Sequence, residues 1–132
     1  MKGLKAYQQV NTQTSITDAD PHRLIQLLYN GALERINMAK ARVQAKDFEG
    51  KGKLIIKAIE IIGGLRNFLD FEKGGELSAR LEGLYDYMER TLFEANAKND
   101  IAKLDEVANL LRSIKEGWDG IRSEVVGQAQ AV

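Results

Sequence analysis

Apolar residues recur at helical spacing in four stretches of the chain, and β-branched residues do not alternate with polar ones as they would in strands. The first stretch carries Leu24, Leu28, Ala32, Ile36, Ala39 and Val43. Asp20 suits its N-cap, and Pro21 suits the first helical position, where a missing N–H costs nothing. This helix is expected to end near Lys46, where Asp47 offers a new cap. The second is expected from about Lys51 to Asp70, on a spine of Leu54, Ala58, Ile61, Ile62, Leu65 and Leu69. Gly50 and Gly52 weaken its first turn, and Gly63-Gly64 lowers its stability by about 1 kcal/mol per glycine. Lys73-Gly74-Gly75 is expected to close it. The third runs from about Glu76 to Ala97, with Leu77, Leu81, Leu84, Tyr85, Met88, Leu92 and Ala95 inward. After an Asn99-Asp100 turn capped by Asp100, the fourth runs from about Ile101 to Val126. Its inward residues are Leu104, Val107, Leu111, Ile114, Trp118, Ile121 and Val125.

At 1.5 Å per residue, each of these helices spans roughly 30–39 Å. Matched lengths and short loops predict an all-α, antiparallel up-down-up-down four-helix bundle over residues 20–127. Residues 1–19 read as a mobile N-terminal arm with a short helical turn around Leu4 to Val10, and residues 128–132 as a flexible tail.

Two of the apolar faces are wider than a bundle needs. A core-facing stripe takes somewhat over 100° of a helix. In the first helix, Leu24, Ile25, Leu27, Leu28, Tyr29, Ala32 and Leu33 cover roughly 240°, and the second helix covers roughly 180° with Ile56 beyond it. The side chains left over are Leu27, Leu33, Ile56, Phe68, Phe71, Tyr87 and Phe93. They form the candidate docking surface, either for an amphipathic partner helix or for a second copy of the chain. Scattered apolar residues on a surface are also ordinary, and stems such as those of Lys57 and Arg66 cover apolar area. Tyr7 and Val10 are apolar anchors in an otherwise polar arm, placed to cover the same surface until a client displaces them.

Composition narrows the function classes. The chain has 132 residues and 44% hydrophobic content, which fits one domain with its own core. The absence of cysteine removes disulfides, thiolate metal sites and cysteine nucleophiles. Nineteen basic and nineteen acidic residues cancel, so nothing draws the chain to nucleic acid or to an anionic membrane. The most apolar stretch, Leu54 to Leu69, is interrupted by Lys57, Glu60 and Arg66 and cannot insert in a membrane; the N-terminus does not read as a secretory signal. No phosphate-binding loop, nucleophile elbow or zincin motif is present, and one histidine cannot furnish a di-iron bundle. That histidine, His22, lies in the first helical turn, where a surface or capping role is expected. A histidine phosphotransfer bundle would need it exposed in mid-helix. The chain is therefore expected to bind protein and to need no cofactor or metal.

The same residues resemble a known family, the flagellin export chaperones FliS. Ala6-Tyr7 in the arm is followed by Asp20-Pro21-His22-Arg23-Leu24-Ile25 and Leu28-Tyr29-Asn30-Gly31-Ala32. Then come Lys57-Ala58, Ile61-Ile62, Leu65, Leu69-Asp70 and Gly74-Gly75-Glu76-Leu77. Leu84-Tyr85-Asp86-Tyr87-Met88 is the strongest piece, followed by Ala95-Asn96, Asn99-Asp100 and Trp118. The resemblance implies a non-enzymatic cytoplasmic chaperone of an antiparallel helical bundle. It would bind the disordered C-terminal segment of flagellin, which turns helical as it wraps the bundle. It would thereby prevent premature polymerisation and assist delivery to the flagellar type III export apparatus, with export components or flagellar regulators as further partners. Tyr7 is implied to help cap the client site. Asn30 departs from the acidic residue expected there. A structural homo-oligomer, dimeric without client, is the alternative.

Overall fold

The computed structural model describes residues 20–120. Four helices follow one another: α1 (Pro21–Gln44), α2 (Phe48–Asn67), α3 (Phe71–Lys98) and α4 (Ile101–Gly120). Each packs against its neighbours in the chain, and α4 returns to α1 to close the ring; the diagonal helices α1 and α3 meet through side chains, Tyr29 hydrogen-bonding to Tyr85. The widest interface joins α1 to α2. The expected all-α four-helix bundle is therefore the fold. The arm, including Tyr7 and Val10, lies outside the described residues, as do Ile121, Val125 and the tail.

Aspartates start all four helices. Asp20 Oδ1 accepts from the Arg23 N–H at 3.2 Å, with Pro21 in the first turn. Asp47 Oδ1 accepts from the Gly50 N–H at 3.0 Å, and Asp100 Oδ1 from the Lys103 N–H at 3.3 Å. Each side chain satisfies a backbone donor that the helix itself leaves without a partner. Between α3 and α4, Asn99 takes the left-handed conformation (φ 53°, ψ 44°) and ends the helix.

Both ends of α2, and with its end the start of α3, differ from the sequence expectation. First, α2 begins at Phe48 instead of Lys51. Gly50 does not delay it, because the Asp47 carboxylate packs where a side chain on Gly50 would stand, 2.4 Å from an ideal Cβ. Second, α2 stops at Asn67, short of Asp70. Asp70 instead caps α3, accepting from the N–H groups of Glu72 and Lys73 at 3.0 Å each. Lys73-Gly74-Gly75 therefore lies inside α3, not after α2, and Gly75 (φ 50°, ψ −122°) marks a kink there. That conformation is open to glycine and strained for any L side chain. Gly75→Ala is expected to lower stability by about 1–3 kcal/mol, measured as an earlier urea midpoint with an unchanged slope.

The core is continuous. Leu28, Tyr29 and Ile36 of α1 meet Ile55, Ile61 and Ile62 of α2, Met88 and Leu92 of α3, and Leu104 and Leu111 of α4, all essentially fully buried. Leu77, expected inward, is instead 63% exposed. Its spacing points it at the bundle axis, but it stands on the rim of a pocket that no side chain among the described residues fills.

Candidate functional site

The large apolar side chains that the bundle does not enclose are Met38, Phe48, Ile56, Phe68, Phe71, Leu77, Tyr87 and Phe93, each between 40% and 63% exposed. Five of these belong to the surface expected from the helical wheels: Ile56, Phe68, Phe71, Tyr87 and Phe93. Leu27 and Leu33 are half-buried, and Leu33 packs on the core. Helix α1 contacts both α2 and α4, and this second neighbour covers part of its wide apolar face.

These side chains fall on three parts of the surface. Ile56 lies on the outer side of α2, almost in line with Gly63 seven residues on. A Cβ at Gly63 would meet nothing within 4 Å, so the helix backbone is open to close approach there. Phe93 lies on α3 one turn beyond Glu89, which pairs with Arg66 of α2 at 2.9 Å, so Phe93 falls on the α2 side. Tyr87 lies on the opposite flank, where its hydroxyl donates to Glu106 of α4. Phe68 and Phe71 bracket the corner between α2 and α3. Arg66 also reaches Asp86 at 3.3 Å and ties α2 to α3 between the Ile56–Phe93 region and this corner. Burial pushes the Glu89 carboxyl up, and the Arg66 guanidinium only partly offsets it.

At the corner a pocket of about 220 Å³ opens between all four helices. Ile25 and Tyr29 line it from α1, Leu65 from α2, and Leu77, Leu81 and Tyr85 from α3; Phe68 and Trp118 complete the apolar wall. On its inner side the hydroxyls of Tyr29 and Tyr85 hydrogen-bond at 2.6 Å. The pair uses one of its two hydroxyl protons internally and leaves the other to donate elsewhere. Apolar walls with a few polar groups at fixed positions are the usual composition of a ligand site.

The position of His22 corrects the sequence expectation. It is 1% exposed, not a surface histidine. Its ring stacks on the Trp118 indole, with centroids 4.6 Å apart and planes 8° from parallel. His22 Nε2–H donates to the Trp118 carbonyl at 2.5 Å, and Trp118 Nε1–H donates back to the His22 carbonyl at 3.0 Å. A ring so enclosed does not present a nitrogen for phosphoryl transfer. One residue further on, Asp119 accepts from Gln26 of α1 at 2.6 Å and from Lys115 at 2.5 Å. Burial pushes the Asp119 carboxyl up, but those two donors outweigh it and hold the group below the usual carboxylate range. Lys51 was equally unexpected as a buried side chain. Its ammonium donates to the Asn96 carbonyl and to Asn99 Oδ1, both at 2.7 Å, at the C-terminal end of α3. Its sequence signal was available: Lys51 stands on the apolar spine of α2, seven residues before Ala58.

Among the described residues no group of three His, Cys, Asp or Glu side chains could hold a metal ion, and no helix is long and apolar enough to cross a membrane.

Residues 3–125 match the family model described as flagellar protein FliS. The chain is 54% identical over 121 residues to the flagellar secretion chaperone FliSB of Pseudomonas aeruginosa, covering 92% of this chain and 96% of that one. It is 43% identical over 120 residues to flagellar secretion chaperone FliS of Salmonella typhimurium, covering 90% and 89%. The crystal structure of a flagellar chaperone from bacteria shares the fold, with a TM-score of 0.74 at 17% identity over 92% of this chain and 98% of that one.

Proposed function

This chain belongs to the flagellar protein FliS family, whose members are flagellar secretion chaperones and not enzymes, and from that premise we propose that it binds the C-terminal segment of flagellin in the cytoplasm. Bound, that segment is kept from polymerising and is handed to the flagellar type III export apparatus. The observation that supports this reading is the set of large apolar side chains outside a bundle whose core is already filled, with Ile56 and Phe93 at 50% and 60% exposure. Burying each such side chain against a partner contributes about 1.5–3 kcal/mol. Ordering a disordered segment costs about 2–5 kcal/mol. Three or four of these side chains therefore suffice to favour the folded, bound client. An amphipathic helix fits the outer face of α2, where Ile56 supplies the apolar contact and Gly63 admits the partner's backbone.

Calorimetry of the full chain against a synthetic flagellin C-terminal segment tests the reading. Saturable binding is expected, weakened about 30-fold (~2 kcal/mol) in Ile56→Asp. Absence of binding by the unsubstituted chain would overturn the function. Undiminished binding by Ile56→Asp would remove the α2 face from the client surface. Light scattering on the same samples separates the competing use of that surface: a stable dimer indifferent to the segment would assign it to a second copy of the chain.

A further inference from the structure

We propose that His22 is a positioning residue for the corner pocket, acting through Trp118, whose indole it holds in place as the pocket wall contributed by α4. The inference rests on the client-binding reading, extends it from the outer face of α2 to the corner pocket walled by the exposed Phe68, and assigns a role there to a residue that does not itself line the pocket. Trp118 sits on a glycine-containing stretch of α4. Gly117 and Gly120 flank it, each lowering helix stability by about 1 kcal/mol relative to alanine. A Cβ on either glycine would touch nothing within 4 Å, so neither position is held by packing around it. The indole is instead fixed from α1, 96 residues away in sequence. The imidazole covers one indole face and its Nε2–H donates to the Trp118 carbonyl, while the His22 backbone carbonyl accepts from the indole N–H. Two reciprocal hydrogen bonds and a ring stack fix both the position and the tilt of the indole. The Gln26–Asp119–Lys115 contacts secure the backbone one residue further on but do not touch the ring. Without the imidazole, α4 keeps that outer tie and the indole keeps its hydrogen bond to the backbone carbonyl of residue 22, but the stack and the Nε2–H contact that set the tilt of the ring toward the α3 side of the pocket are lost.

Trp118 is the single tryptophan of the chain, so tryptophan emission reports this wall alone. In the full-length, client-free chain, His22→Ala is expected to shift that emission to the red as the indole meets water. Against the flagellin segment it is expected to weaken binding about tenfold (~1.4 kcal/mol). If His22 acts through the indole, then in a Trp118→Ala background the further change His22→Ala leaves affinity unaltered; a double-mutant cycle reads this coupling directly. Unmoved emission in His22→Ala overturns the proposal. So does an emission shift without loss of affinity, and so do losses that simply add across the cycle. The emission measurement needs only the single variant, so it decides the placement of the indole even where the double variant fails to fold. Should the unsubstituted chain bind no flagellin segment, the client reading fails, and the emission shift alone then decides whether His22 places Trp118.

Discussion

Lys51→Glu is expected to destabilise the bundle by about 3–5 kcal/mol, a large share of the roughly 5–15 kcal/mol typical of a domain. Lys51 is 5% exposed, and its ammonium donates to the Asn96 carbonyl and Asn99 Oδ1 at the C-terminal end of α3. Those acceptors sit at the negative pole of the helix, where a cation is favoured and an anion is not. A glutamate there has no donor to receive and faces two oxygens at short range. Lys51→Met isolates the two effects. It keeps the apolar stem and deletes the charge, leaving the acceptors without a partner, which costs about 1–3 kcal/mol. Urea unfolding of both variants checks the order. Equal losses would show that only the missing hydrogen bonds matter, and no loss in either would dismiss the contact as a stabilising one.

The second large effect concerns alkaline pH. Burial pushes both buried phenols, Tyr29 and Tyr85, above their ordinary range. The neighbouring Tyr85 raises Tyr29 further, while the hydrogen bond from Tyr29 partly lowers Tyr85. The folded state therefore keeps both protons at a pH where the unfolded chain, with phenols near about 10, releases them. Unfolded protein then binds fewer protons than folded, so stability falls as pH rises. The stabilisation is fully present below about pH 10 and is lost above it, at about 1.4 kcal/mol per pH unit for each tyrosine. Denaturant midpoints taken between neutral pH and pH 12 should follow this decline, with phenolate absorbance appearing as the chain unfolds. Tyr29→Phe should halve the slope. At neutral pH it should cost about 1–3 kcal/mol, because the Tyr85 hydroxyl is left buried without its partner. A slope unchanged by Tyr29→Phe would place the titrating group elsewhere.

Much of the architecture was legible because aspartate caps have a local mechanism. Asp20-Pro21, Asp47 and Asp100 each satisfy backbone donors within three residues, so short sequence windows suffice to place them. Gly74-Gly75 was not resolved this way. A glycine pair serves equally to end a helix or to kink one, and the choice fell to Asp70, whose carboxylate starts α3 ahead of them. Exposure at Ile56, Phe68, Phe71, Tyr87 and Phe93 was readable from helical angle alone. Leu27 and Leu33 are less exposed than that angle implies, since a helix in a closed ring has two neighbours rather than one. Met38, Phe48 and Leu77 went unnoticed as open positions. Leu77 shows why: spacing gives the direction of a side chain but not whether anything stands in front of it. His22 and Lys51 depended on partners 96 and 45 residues away, which no local pattern reports.

The closure of the ring by α4 against α1 has a consequence for synthesis on the ribosome. The α1–α2 hairpin, with the widest interface of the fold, needs only sequence-local contacts and is available early to the nascent chain. The flank of α1 that carries His22, Gln26 and Lys40 meets its partners Trp118, Asp119 and Asp105 only once α4 has left the exit tunnel. Until then the corner lacks one wall, and a newborn chain cannot present a complete pocket to a client made alongside it.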